Sequence, residues 1–343
     1  MTAAFAELFP RLLSGAHIDV EQMRDAFEAI LAGAWTPVQV GAFAVALRMR
    51  GETDEEIVAA AQAMRGAMVA VEHGLPVVVD TCGTGGDGSN TLNLSSAAAV
   101  VTAACGVAVA KHGNRSMSSR CGSADVFEAL GIPIDVPPSR QGVVLREAGI
   151  AFLFAQAHHP ALKHAAQARR ELGTRTIFNV LGPLANPARA THQVVGVYDG
   201  ALRSTVANAL KRLGSRRAWV VRSEDGLDEV SPCAPTRVSE LTEDGEIRER
   251  TVTPEEAGLE PTTRAAIAGS DPETNARALT AILEGEKHPA RGGVVLNAAA
   301  ALAIATGADL RSCAERAQAS IDSGAARATL DRWRRVAARV RDS

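Results

Sequence analysis

Over roughly the first seventy residues the apolar positions recur at helical spacing only. Asp19 can cap a helix whose Met23, Phe27, Ile30 and Leu31 line one face before Gly33 stops it. Thr36-Pro37 starts a second helix by cap and first-turn proline, and Thr53 with Glu56 forms a capping box for a third. Helices this short cannot bury both faces by themselves, so their spare apolar surface must pack on something larger.

After Gly74-Leu75-Pro76 the pattern changes to short apolar runs alternating with helical stretches, as a mostly parallel sheet requires. The predicted strands are Val77 to Val79, Val107 to Ala110, Ile150 to Phe154, Gln193 to Val197 and Ala218 to Arg222. Between the first two, Ala97 to Cys105 predicts a buried helix, capped by Ser95 or Ser96 and stopped at Gly106. Another helix is expected to start near Ser123. His164 to Leu172 returns to a basic helical composition, and Leu241 to Arg250, with Asp244-Gly245 inside it, reads as a hairpin or a surface excursion. At the carboxyl terminus Leu330, Trp333, Val336 and Val340 recur among arginines, which predicts an amphipathic helix with a solvated basic face.

Two polar loops carry the candidate chemistry. The first, Gly83-Thr84-Gly85-Gly86-Asp87-Gly88, follows the first strand and has four glycines in six residues, a loop that lets backbone N–H groups approach phosphates. It is not a dinucleotide loop, because the next carboxylate after Asp87 is Asp125 and Lys111 stands where a ribose-binding acid belongs. Nor is it a nucleoside-triphosphate loop, since Ser89-Asn90 replaces the Lys-Ser/Thr that would follow the last glycine. The second loop, Lys111-His112-Gly113-Asn114-Arg115-Ser116-Met117-Ser118-Ser119-Arg120, carries three cations. In a β-α-β unit both loops leave the same carboxyl edge of the sheet, where ligands bind.

These two loops, in order and spacing, closely resemble those of the anthranilate phosphoribosyltransferases. The resemblance runs nearly end to end, through Leu47 to Thr53, Arg175-Thr176-Ile177-Phe178-Asn179, Leu181-Gly182-Pro183-Leu184, Gly226-Leu227-Asp228-Glu229-Val230 and Asn297 to Ala301. It implies an α/β protein with a small all-helical domain plus a larger α/β domain built on a mostly parallel central sheet. The helical domain would span residues 1–74 and be rejoined by 164–186, with 75–163 and 187–343 forming the phosphoribosyl pyrophosphate-binding domain. The implied reaction, a step of tryptophan biosynthesis, moves the phosphoribosyl group of phosphoribosyl pyrophosphate (PRPP) to the amine of anthranilate and releases pyrophosphate.

By the same resemblance the donor would contact Gly83, Gly85, Gly86, Asp87, Thr91, Asn93, Leu94, Ser95, Ser96, Lys111, His112, Gly113, Asn114, Arg115, Ser119 and Ser123. Anthranilate would meet Gly83, His112, Asn114 and Arg169, the last being the arginine whose planar fork suits a carboxylate. Ser95, Asp228 and Glu229 match metal positions, for Mg2+ at two ions per subunit shared with the pyrophosphate. An acidic run after a strand is ordinarily a solvated loop, and only the resemblance makes Asp228-Glu229 a metal site. No residue is assigned as general acid or base, because charge stabilisation and positioning dominate this transfer. A homodimer through the helical domain is also implied.

Composition narrows the alternatives. A chain of 343 residues with 46% apolar content has room for a large core or two unequal domains. A net charge of -3 and 3% aromatics leave neither a general attraction for nucleic acid nor stacking platforms for it. No membrane partner is expected, since the longest weakly polar stretch, Ala97 to Ala110, is shorter than a span. Without a basic segment leading into an apolar one at the amino terminus, a cytoplasmic address is expected. Five cysteines without a C-x-x-C pair point to neither disulfides nor zinc, and Cys82 and Cys121 are read as inert. Two rivals share the architecture: a pyrimidine nucleoside phosphorylase, and a non-enzymatic nucleic-acid-binding paralogue. The first does not explain Arg169 or Gly226 to Glu229. The second should have gained a basic surface and lost those residues.

Overall fold

The computed structural model describes residues 5–116 and 120–343. Four helices open the chain: α1 (Phe5–Leu13), α2 (Val20–Leu31), α3 (Pro37–Arg50) and α4 (Asp54–Ala67). Local chemistry starts three of them. Asp19, Thr36 and Thr53 each accept from the backbone three residues on, and Gln22, Gln39 and Glu56 reach back to the cap, so each helix satisfies two otherwise orphaned amides. Glu56 is buried, and it also pairs with Arg50 and accepts from the Ile18 amide at 3.2 Å.

The remaining chain runs β1 (Val79–Gly83), α5 (Leu94–Ala104), β2 (Val109–Gly113), α6 (Ser123–Ala129), α7 (Gln141–Ala148), β3 (Ile150–Phe154), α8 (Ala155–His158), α9 (Lys163–Leu172) and α10 (Ile177–Leu184). It continues through β4 (His192–Gly196), α11 (Leu202–Arg212), β5 (Arg217–Ser223), β6 (Thr236–Leu241), β7 (Ile247–Val252), α12 (Pro272–Leu283), α13 (Arg291–Thr306), α14 (Leu310–Asp322) and α15 (Ala325–Asp342). The seven strands form one sheet in the order β3-β2-β1-β4-β5-β6-β7. The first five are parallel, and β6 and β7 add an antiparallel hairpin at one edge. The architecture is a small helical domain and a larger α/β domain with a mostly parallel sheet.

Side chains on successive strand residues point to opposite faces, and that period of two divides the interior into two cores. On β5, Trp219 and Val221 face a core shared with α5, α13, α14 and α15, while Ala218 and Val220 face a second core shared with α11 and the helices of the small domain. Helix α9 packs on α3 and α2, and α10 packs on α4 and α3, although both lie about a hundred residues downstream of them.

Three local expectations need correction. The first two strands begin two residues later than predicted and run into their polar loops, so that Asp80 to Gly83 and Lys111 to Gly113 are strand. β1 pairs with β4 throughout Val79 to Gly83, and β2 with β3 throughout Val109 to Gly113; ladder bonds on the central strands hold residues that an apolar pattern excludes. Helix α5 begins at Leu94 with Asn93 at its cap, so Ser95 and Ser96 lie inside the first turn rather than capping it. Finally, the basic face of α15 is largely engaged: Arg332 donates to the Ala148 carbonyl at the end of α7, Arg334 to the Leu130 carbonyl at the end of α6, and Arg339 pairs with Glu147. Cations there complement helix carboxyl ends. Among the described residues no single helix is long and apolar enough to cross a membrane.

Candidate active site

The carboxyl ends of β1, β4 and β5 open into a polar cleft. Gly83, Gly85, Gly86, Asp87, Thr91, Asn93, Ser95, Ser96, Ser123, Asp228 and Glu229 all line it. Positive φ at Gly85 and Gly86, +65° and +76°, turns the loop in a conformation that side chains resist, which explains the consecutive glycines. At Gly196, on β4, a Cβ would overlap the Asp228 carbonyl. That close approach lets the acidic segment after β5 lie directly over the glycine loop.

Asp228 and Glu229 occupy two groups of amides suited to anions. The Gly85 N–H donates to Asp228 Oδ2 at 2.9 Å, and the Ser95 N–H, in the first turn of α5, donates to Glu229 Oε1 at 3.0 Å. Burial and the nearby Asp87 charge raise the Asp228 carboxyl to about 7, and burial together with Asp228 raises Glu229 to about 7. Glu229 Oε2 is buried without a hydrogen bond. Asp87 accepts from the Ser89 amide and hydroxyl at 3.0 and 2.8 Å, so it folds the loop back on itself. Among the described residues no three His, Cys, Asp or Glu side chains form a metal cage. The donor set is oxygen only, with an orphaned carboxylate oxygen and carboxyls destabilised by crowding, which fits a hard cation that shares its remaining sites with phosphate oxygens and water.

Lys111 lies beneath this cleft rather than in its lining. Its ammonium donates to the Thr81 carbonyl and approaches Ser95 Oγ at 3.4 Å. Burial pushes it down from the ordinary lysine range and the neighbouring Asp80 carboxylate opposes that shift. Asp80 in turn accepts from the His112 amide at 3.1 Å and from Asn186 Nδ2 at 2.7 Å. Asn93 joins Cys121 and Asn275 across the cleft wall, and Leu94 is buried in α5. Gly113 ends β2 close against Ser123. Arg115 is tied to Asp125 at 3.0 Å and Glu128 at 2.9 Å, away from the cleft. Ser119 lies outside the described residues.

Of the residues expected to meet anthranilate, Arg169 and His112 lie against α10, while Gly83 lines the cleft and Asn114 stands apart from both. Phe178 and Gly182 are four apart and so share a face of that helix. The Arg169 guanidinium lies 5.7 Å from the Phe178 ring centre, and burial lowers it from the usual arginine range. His112 Nδ1 sits 3.1 Å from the Gly182 carbonyl and must donate to it, which leaves Nε2 as an acceptor; that atom is buried and unpaired. Burial and His159 hold His112 well below the ordinary histidine range, and His159 is lowered to about 4, so both rings are neutral. Their centres are 5.1 Å apart. Asn114 is exposed and accepts from its neighbour Arg115 and from Gln156 at 3.4 Å. Arg169, His112 and Asn114 do not line the donor cleft, whereas Gly83 does.

Several contributors have no signal in local sequence. Asn297 accepts from the Val230 amide and donates to the Val230 and Gly293 carbonyls, so α13 pins the segment carrying the acid pair. A lone amide in the apolar run Val294 to Ile304 is its one mark in the sequence. Ser270 also lines the cleft, as does Arg120, one of the three cations of the second loop. Burial raises the Cys82 thiol well above its usual range and the Cys121 thiol to about 11, so both stay protonated and inert.

Comparison with known proteins gives a consistent match. The pattern of the glycosyl transferase family helical bundle domain matches residues 6–68, and that of the glycosyl transferase family a/b domain matches residues 75–327. The anthranilate phosphoribosyltransferase of Myxococcus xanthus is 53% identical over 90% of this chain and 92% of its own length. The crystal structure of the Thermus thermophilus anthranilate phosphoribosyltransferase superposes with a TM-score of 0.91 at 41% identity, covering 98% of this chain and 100% of that one. That of the Saccharomyces cerevisiae enzyme in complex with PRPP and Mg superposes with a TM-score of 0.91 at 29% identity over 99% of both.

Proposed function

This chain belongs to the anthranilate phosphoribosyltransferase family, and from that membership we infer that it transfers the phosphoribosyl group of PRPP to the amine of anthranilate, yielding N-(5'-phosphoribosyl)anthranilate and pyrophosphate. It is a glycosyltransferase of tryptophan biosynthesis. The observation that carries the reading is the cleft in which the glycine loop, the first turn of α5 and Asp228-Glu229 converge. Neither rival is favoured, since Arg169 and the acid pair are present and the chain is slightly acidic.

In the proposed site, amides of Gly83, Gly85 and Gly86 and the α5 terminus at Ser95 and Ser96 receive the phosphates of PRPP, which replace Asp228 on the Gly85 amide and Glu229 on the Ser95 amide, with Lys111 adding charge from below. Asp228, Glu229 and Ser95 would hold Mg2+, two ions per subunit, which would neutralise charge gathering on the pyrophosphate as the C1–oxygen bond breaks. The new bond joins C1 to the anthranilate nitrogen as the C1–oxygen bond to pyrophosphate breaks, and the nitrogen passes one proton to the departing pyrophosphate or to water. Arg169 grips the anthranilate carboxylate, and His112 Nε2, neutral and unpaired, accepts an N–H of the amine. Asn114 completes the acceptor contacts. No strong base is required for so weakly basic an amine.

The helical domain, 1–74 with 164–186, supplies the two-fold contact of a cytoplasmic homodimer in this reading. Val38, Ala42, Val45 and Met49 follow at helical spacing along the outer side of α3, and Val38 and Met49 are 80% and 84% exposed. An assay of the purified protein with anthranilate, PRPP and Mg2+, followed by fluorescence, tests the reaction. Consumption of anthranilate only when both PRPP and Mg2+ are present is the expected result; unchanged anthranilate would refute it.

A further inference from the structure

Arg175 stands in the link between α9, which carries Arg169, and α10, whose capping box is Thr176 with Asn179. Its guanidinium lies over the ring of Tyr198, 4.4 Å from the ring centre, within cation–π range. Tyr198 is the one tyrosine of the chain. The guanidinium also stands beside the donor loop, so close that a Cβ on Gly86 would come within 2.9 Å of Arg175 Nε and 3.0 Å of Nη2. Among the described residues no hydrogen bond or ion pair engages this guanidinium.

Tyr198 is itself anchored twice. Its amide donates to Thr84 Oγ1 at 2.9 Å, inside the glycine loop, and its hydroxyl accepts from Arg48 Nη1 of α3 at 3.3 Å. The loop is therefore held on both sides. Asp228 takes the Gly85 amide from within the cleft, and neither Arg175 nor Tyr198 lines that cleft.

We propose that Arg175, stacked on Tyr198, is a positioning residue that backs the Gly85-Gly86 turn of the donor loop. The proposal rests on the reading of residues 83–88 as the PRPP-binding loop. A planar cation can press on a backbone from which side chains are excluded, and the ring beneath it keeps that plane fixed. Removing the guanidinium leaves the turn without its backing and lets the amides drift from the geometry that receives pyrophosphate.

The single tyrosine supplies a probe independent of turnover. Uniform replacement by 3-fluorotyrosine gives one 19F resonance, which should shift when PRPP and Mg2+ bind the wild-type protein. In Arg175→Ala that shift should vanish, KM for PRPP should rise about tenfold, and kcat and KM for anthranilate at saturating PRPP should stay within about twofold. Arg175→Lys should recover part of the loss, and Tyr198→Phe, which keeps the ring, should stay near wild type. A ligand-induced shift that persists in Arg175→Ala, with an unchanged KM for PRPP, would overturn the proposal. So would a loss confined to anthranilate. If wild-type protein bound no PRPP in a calorimetric titration, the donor site itself would be misassigned, a failure distinct from either of those.

Discussion

In the proposed site the donor and acceptor halves are made in different ways. The donor half belongs to one sheet edge: backbone amides, a helix terminus and two carboxylates, all brought together by strands β1, β4 and β5. The acceptor half is an assembly of side chains, with Arg169 on Phe178 and His112 on Gly182, and its helices pack on the amino-terminal domain. Backbone donors accept many side-chain changes so long as the turn survives, whereas a carboxylate grip made by one guanidinium has no substitute. The two halves should thus fail separately and by different amounts.

The largest effect is expected from Asp228→Ala combined with Glu229→Ala. Without these carboxylates Mg2+-dependent turnover should fall by roughly a thousandfold or more, while circular dichroism shows the fold retained. A wild-type response to Mg2+ in the double variant would remove both residues from the metal site. Next comes Arg169→Ala, which loses a charge-assisted contact worth about 1.5 to 3 kcal/mol. Its kcat/KM for anthranilate should drop on the order of 10 to 150-fold, with Arg170→Ala as a mild control.

Asn297→Ala separates support from contact. Asn297 borders the cleft, but its amide is committed to Val230 and Gly293, so the substitution leaves both backbone groups of Val230 without their partner, at a cost of roughly 1 to 3 kcal/mol per buried group. The melting temperature should fall and KM for PRPP rise several-fold, with KM for anthranilate unmoved. An equal change in both Michaelis constants would place Asn297 in general packing. The smallest effect on activity should follow Val38→Asp with Met49→Asp, which should yield monomers by sedimentation. Since the other side of α3 meets α9, any kinetic change should appear in anthranilate use and not in PRPP affinity. If the variant stays dimeric, the interface lies on the larger domain.

What could be read from the chain follows the same division. The caps Asp19 and Thr36 and the Thr53–Glu56 box needed only neighbouring residues, and their helices form as the pattern predicts; the reciprocal bonds of Gln22 and Gln39 came with the structure. The glycine loop and the mostly parallel sheet were legible because glycine spacing and the alternation of strands with helices imply them. The ends of β1 and β2 were not, because Asp80 and Lys111 are buried polar residues whose hydrogen-bond and charge partners are distant in sequence; Asn186 lies 106 positions from Asp80. Asn297 and Gly196 escaped for the same reason. Asn297 meets Val230 across 67 positions, and the demand for glycine at 196 comes from a carbonyl at Asp228. Arg169 was legible through resemblance alone, since nothing in a basic helix distinguishes it from Arg170.

The most direct test of the division is calorimetric titration of PRPP with Mg2+ into Arg169→Ala. If the acceptor half is separate, the dissociation constant should remain within about twofold of wild type although anthranilate use has collapsed. A loss of PRPP affinity as large as the loss in anthranilate use would contradict the account, because Arg169 would then serve the phosphate cleft or the fold.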